Sequence, residues 1–145
     1  MNKKIETLIP HRSPFLFVDE ILSATLEEIV AVKTFDSNTS VLGGSFPDLS
    51  FVPGTILLES MAQAGGGGVR MLEITDGIFA LVQIETAEFF GGAKFGQQVK
   101  YVIKNNRLSE KIIRQQGEAF VNGTRVMKAS WMSIKIAERK DYCSV

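Results

Sequence analysis

The spacing of apolar and polar positions changes along the chain, and each change marks an element. In residues 97–106, QQVKYVIKNN, Val99, Tyr101 and Ile103 alternate with Lys100 and Lys104. A period of two belongs to a strand with one wet face. Residues 29–36, IVAVKTFD, carry Ile29, Val30, Val32 and Phe35 after the polar Thr25-Leu26-Glu27-Glu28, and this β-branched and aromatic content reads as a second strand. GIFALVQIETAEFF, residues 77–90, is apolar on both faces at its centre, the pattern of a buried strand. In GEAFVNGTRVMKASWMSIKI, residues 117–136, Asn122-Gly123 separates two strand-like runs. Both turn positions of that pair favour positive φ, so the segment predicts a β-hairpin.

One segment follows a different period. PGTILLESMAQAGGGGVRML, residues 53–72, opens on Pro53, which suits a first helical turn because its missing N–H would have no partner there. Ile56, Leu57, Met61 and Ala64 recur at helical spacing, with Glu59, Ser60 and Gln63 forming a narrow polar stripe between them. Such a helix belongs inside, wrapped by the sheet. Gly65 to Gly68 weigh against it, since each interior glycine costs up to about 1 kcal/mol relative to alanine. Two readings stay open: the helix ends there, or the missing Cβ atoms make room for a ligand chain or a closely packed strand. One central helix against a largely antiparallel sheet is an α+β layout.

At 145 residues the chain fits a single domain, 1–145, with a flexible tail at 140–145. Sixteen basic and sixteen acidic residues cancel, which removes the positive field that nucleic acid or an anionic membrane would demand. No run approaches the ~20 apolar residues of a membrane span, and no secretory h-region follows the N-terminal lysines. A soluble, cytoplasmic protein is expected. Cys143, the lone cysteine, has no partner for a disulfide or a metal cluster, and no cofactor or metal is expected.

Two segments carry a family resemblance. PHRSPFLFVD, residues 10–19, and GSFPDLSFVPGTILLESMAQA, residues 44–64, resemble the N-terminal motif and the active-site segment of the β-hydroxyacyl-acyl carrier protein dehydratases of fatty acid synthesis. The matching positions of the second segment are Gly44, Phe46, Pro47, Pro53, Gly54, Glu59, Met61, Ala62 and Gln63. The resemblance implies the hot dog fold, a long helix wrapped in an antiparallel sheet, and dimers joined sheet edge to sheet edge, sometimes as trimers of dimers. It also implies active sites shared between subunits, so that Ser45 of one subunit would face Glu59 of its neighbour.

In that family the base is a histidine, the acid is a helix carboxyl group, and a backbone N–H at the helix start polarises the thioester carbonyl. On this pattern Glu59 is the acid, kept protonated by partial burial on an apolar helix, and Gly54 offers the oxyanion N–H. Phe46, Pro47, Val52, Pro53, Gln63 and Phe89 are the expected substrate-binding residues. The base position holds Ser45. A serine hydroxyl becomes reactive only beside a general base, so Ser45 does not replace imidazole unaided. The sole histidine, His11, lies in the N-terminal motif; a catalytic substitute for the missing base is the lesser reading, and a hydrogen-bonded packing residue is the expected one.

Two other departures touch the same site. Ser13 stands where the family has an aromatic residue, and EFFGGAKFGQ, residues 88–97, keeps Phe89 and Gly96 but lacks the family's basic residues and prolines. Lys94, Lys100 and Lys104 are alternative charges for an acidic carrier protein, or simply a solvated strand edge. Three functions follow as expectations: a dehydratase acting on acyl carrier protein or coenzyme A thioesters with weakened or lost activity; a hot dog thioesterase using Glu59; or a non-catalytic acyl-binding subunit or heterodimer partner of an active dehydratase.

Overall fold

The computed structural model describes residues 4–37 and 42–138; the tail at 140–145, with Cys143, lies outside the described residues. After a short 3-10 turn at Ile5–Thr7 come β1 (Glu20–Ala24), β2 (Glu28–Thr34), α1 (Gly54–Met71), β3 (Gly77–Phe89), β4 (Gln98–Leu108), β5 (Ile112–Val121) and β6 (Thr124–Glu138). The six strands form one sheet in the order β1-β2-β4-β5-β6-β3. Every neighbouring pair is antiparallel.

The alternation read in residues 97–106 sets β4 in place. Val99, Tyr101 and Ile103 are fully buried under the helix, while Lys100 and Lys104 are exposed on the other face. The Asn122-Gly123 turn is the expected hairpin, with φ of 49° and 79° and Val121 paired to Thr124. β1 escaped the sequence reading because it is only five residues long and a bulge between Ile21 and Ser23 breaks its alternation. β5 starts earlier than the hairpin signal implied, at Ile112.

β3 corrects an expectation. Its apolar centre pointed to a buried strand, but it is the last strand of the sheet and pairs only with β6 among the described residues. Leu81, Val82, Ile84, Phe89 and the adjoining Phe90 are all exposed. A long apolar edge of this kind is what soluble proteins ordinarily cover.

The helix runs straight through the four glycines. Each has its own explanation. A Cβ on Gly65 would lie 2.3 Å from Gln115 Oε1, one on Gly67 2.8 Å from Ile21 Cδ1, and one on Gly68 2.5 to 2.6 Å from three atoms of Ile29. Three glycines therefore let α1 lie directly on β5, β1 and β2. Gly66 is different: nothing lies within 4 Å of where its Cβ would be. The reading that the helix ends there is overturned; the close-packing reading holds at three of the four glycines. The same close approach is made from the sheet side at Gly117, where a Cβ would meet Met61 Sδ at 2.7 Å.

Around this contact lies the core, with Leu57, Met61, Ile29, Met127 and Trp131 at or near zero exposure. Tyr101 is buried with them, and its hydroxyl makes no hydrogen bond of good geometry among the described residues. Burial pushes that phenol well above its ordinary range, and the nearby Ser60 hydroxyl only partly offsets it. No helix among the described residues is long and apolar enough to cross a membrane.

Candidate active site

The polar stripe of α1 has two jobs. Ser60 and Gln63 are buried and hold the N-terminal motif against the helix. The Ser60 hydroxyl donates to the Phe17 carbonyl at 2.6 Å, Gln63 Oε1 accepts the Phe17 N–H at 2.8 Å, and Gln63 Nε2 donates to the Phe15 carbonyl at 3.1 Å. These bonds satisfy backbone groups that the irregular segment would otherwise bury unpaired. The Ser13-Pro14 peptide within that segment is cis. Gln63 Nε2 also donates to Glu59 Oε1 at 3.0 Å, one turn back on the same helix. The second job is thus to fix the orientation of Glu59.

With the motif docked in this way, His11 sits beside the carboxyl group. Its Nε2 is 3.6 Å from Glu59 Oε1, and the two side chains keep 32% and 27% exposure. Burial pulls the imidazole below its ordinary value of 6.5; Glu59 opposes that shift and Arg12 adds to it. At neutral pH the ring is uncharged, so the contact is a neutral imidazole against a carboxyl group rather than a fixed ion pair.

The expectation for His11 is corrected here. It was expected to be a hydrogen-bonded packing residue, yet Nδ1 is buried without a hydrogen-bond partner among the described residues, and the ring stacks loosely on Phe15 at 6.5 Å. Nothing local in the sequence signals the His11–Glu59 pairing. It arises from bonds made 43 to 48 residues apart in the chain.

His11 and Glu59 open onto a cavity of about 270 Å³ that follows one stripe of α1 through Ala62, Gln63, Gly66, Val69 and Arg70. Phe79, Ala80 and Leu81 of β3 form the opposite wall, and Gln115, Ser133 and Thr75 contribute polar groups. Gly66 is the open glycine of the run, so its missing side chain widens this space. At the far end Arg70 Nη1 donates to the Thr75 carbonyl at 3.0 Å. The stripe at positions 59, 62, 63 and 66 was legible as helical spacing, but which side of it faced a cavity was not.

The other expected site residues gather elsewhere. Ser45, Phe46 and Pro47 lie in the irregular segment before α1, where the Ser45 N–H donates to the Leu42 carbonyl at 3.1 Å and Phe46 has a φ of 48°. Phe46 and Pro47 are exposed. Val52 departs from expectation: it is in the hydrophobic core at 3% exposure and does not line the cavity. Pro53 caps α1, its carbonyl accepting the Ile56 and Leu57 N–H groups.

Gly54 lies under the Phe89 ring, so close that a Cβ would be 2.9 Å from it. No acceptor is found for the Gly54 N–H among the described residues. Five residues of helix separate Gly54 from Glu59, which is about 7.5 Å along the axis and about 140° around it. One chain therefore presents Gly54 with Phe89 at the helix start, and Glu59 with His11 at the cavity, on different sides of α1.

A FabA-like domain matches residues 9–130, which takes in both motifs and most of the sheet. The chain is 32% identical over 140 residues to the 3-hydroxyacyl-[acyl-carrier-protein] dehydratase FabZ of Solibacter usitatus, covering 95% of this chain and 86% of that protein. It is 34% identical over 134 residues to FabZ of Xanthomonas euvesicatoria pv. vesicatoria, covering 89% and 88%.

Among solved structures, the dehydratase heterocomplex ApeI:P from Xenorhabdus doucetiae aligns with a TM-score of 0.80 at 15% identity over 92% of this chain and 91% of that one. A hypothetical thioesterase with coenzyme A from Streptococcus pneumoniae TIGR4 aligns with a TM-score of 0.64, also at 15% identity, over 83% and 88%. These likenesses show the hot dog fold. Taken with the sequence identities, they establish that the chain belongs to the FabA-like domain family, as a homologue of the FabZ dehydratases.

Proposed function

We propose that the chain acts on 3-hydroxyacyl thioesters, as a FabZ-like dehydratase that forms a trans-2-enoyl thioester and water, with Glu59 as the proton donor to the departing hydroxyl. The observation that carries this reading is the placement of Glu59: a helix carboxyl group oriented by Gln63 at the mouth of a long, mostly apolar cavity. Elimination of water needs an acid at C3, a base at C2 and a donor for the thioester carbonyl. Gly54 is the proposed carbonyl donor, because its N–H is at a helix N-terminus where developing negative charge is favoured.

Subunit pairing completes the arrangement. The exposed apolar edge of β3 supports a dimer formed through that strand, in which Ser45, Gly54 and Phe89 of one subunit approach Glu59 of the other. Ser45 then occupies the position of the family's histidine, where a hydroxyl alone does not abstract a proton from carbon. Hydration of an enoyl thioester, assayed with acyl carrier protein and with coenzyme A as carrier, tests the proposal. Glu59→Gln is expected to lower the rate by about 100-fold or more while thioester binding persists. A wild-type chain that neither binds nor converts either thioester refutes it, and thiol release without hydration assigns thioesterase chemistry to Glu59 instead.

A second reading is favoured by the likeness to the ApeI:P dehydratase heterocomplex. In it the chain pairs with a different dehydratase subunit, contributing Glu59 to a site whose histidine comes from the partner. Activity that appears only on mixing with a histidine-bearing paralogue distinguishes this from a self-sufficient dimer.

A further inference from the structure

The half-site containing Glu59 has a nitrogen base of its own. We infer that His11 supplies the acid–base function absent at Ser45, so that one subunit carries both the base and the acid of the dehydration within a single cavity. The inference rests on the dehydratase reading above. It stands on three observations: the 3.6 Å separation of Nε2 from Glu59 Oε1, the opening of both groups onto one cavity, and the lack of a partner on Nδ1 among the described residues.

The last of these matters most. The tautomer of a histidine is ordinarily set by the hydrogen bond its second nitrogen makes. With Nδ1 unbonded, no protein group holds a proton on Nε2, and that nitrogen is left to accept or release one according to what faces it. What faces it is Glu59, whose Oε1 is already held by Gln63. No hydrogen bond to Oε2 is found among the described residues, which leaves that oxygen for the substrate. A separation of 3.6 Å is longer than a hydrogen bond, as catalytic contacts often are before substrate closes the site.

The step balances without any further reactant. His11 Nε2 takes the proton from C2 as the C2–C3 double bond forms, and the C3–O bond breaks as Glu59 gives its proton to the departing hydroxyl, which leaves as water. The imidazolium then passes its proton to the Glu59 carboxylate, and both groups return to their starting states. Because base and acid are neighbours on the same side of the substrate, proton and hydroxyl leave from the same face. In the dehydration direction a neutral imidazole is the form required. The titratable and charged groups that act on it are Glu59 from the helix and Arg12 from its own segment, with Arg70 further along the cavity.

The test is enoyl-thioester hydration by the homogeneous chain, with no histidine-bearing paralogue present, using wild type, His11→Gln and His11→Ala. Thermal melting checks that each variant folds. The wild type is expected to be active; hydration runs the step backwards, with imidazolium giving its proton to C2 and the Glu59 carboxylate taking one from water, so the rate should fall on alkalinisation as His11 loses its proton. His11→Gln should lose about 100-fold or more while retaining thioester binding, and His11→Ala should recover activity when imidazole is added.

Retention of the wild-type rate and pH profile by a folded His11→Gln overturns the inference. So does loss of activity with no rescue by imidazole, which marks His11 as a packing residue. A wild-type chain that binds thioester but is inactive alone overturns this inference and leaves the family reading standing; failure to bind at all overturns both.

Discussion

Alanine substituted at Gly66 and at Gly68 should move stability in opposite directions, although the residues are two apart in one helix. Each change removes a glycine from a helix interior, which by itself favours folding by about 0.8–1 kcal/mol. At Gly66 nothing opposes this gain, because no atom lies within 4 Å of the new Cβ. At Gly68 the Cβ would sit 2.5 to 2.6 Å from Cδ1, Cγ1 and Cγ2 of Ile29, which is completely buried. Three atoms of one β-branched side chain are blocked together, so no single rotation clears them, and the sheet or the helix must shift. Overpacking of this kind costs about 1–3 kcal/mol.

The propensity gain is common to both, so the pair should differ by the overpacking cost of about 1 to 3 kcal/mol, or roughly 3–10 °C in Tm for a domain of this size. Urea unfolding midpoints and thermal melts at one fixed protein concentration give the comparison, the concentration being fixed because subunit association would itself raise Tm. Equal stabilisation by both substitutions refutes the close seating of α1 on β2.

Further outcomes follow from the same coordinates. Gly66→Leu should fill the cavity beside Glu59, so hydration of longer acyl thioesters should fall more than that of short ones while the melting temperature holds. Charge on the free edge, as in Ile84→Lys, should convert a dimer to monomer in sedimentation analysis; an unchanged sedimentation coefficient rules out pairing through β3. The pH dependence of stability isolates His11, the sole histidine. Its folded-state pKa lies below the ordinary 6.5, so as pH falls the unfolded chain takes up the proton first. The histidine's contribution is complete above about 6.5 and is lost as pH falls through the lower folded value. In His11→Gln that slope should flatten between neutrality and the onset of carboxylate titration.

Much of the fold was legible because local pattern and tertiary placement agree. β4 reads directly from Val99, Tyr101 and Ile103, and the hairpin from Asn122-Gly123, since period and turn chemistry are properties of neighbouring residues. β3 misled for a physical reason: an apolar strand at an uncovered edge and one buried inside a sheet have the same composition. The glycine run was ambiguous because propensity speaks only of the isolated helix, whereas Ile29, Ile21 and Gln115 decide what the run is for. At the site, Glu59, Gln63 and Gly54 could be named from their segment. His11 could be named as the sole histidine, but not its proximity to Glu59, which depends on Ser60 and Gln63 binding a distant stretch of backbone.

Those bonds also bear on how the site comes into being. Phe15 and Phe17 are held by residues 43 to 48 positions later, so one wall of the cavity is synthesised well before the helix that fixes it. Closing so long a loop is entropically unfavourable until α1 and its sheet are in place. The order of events is then sheet and helix first and the N-terminal wall last. A chain deprived of its first seventeen residues would keep the larger part of its core and lose the enclosure around Glu59. Competence for chemistry is in this sense a later acquisition than foldedness, and the two are separable by where the chain is cut.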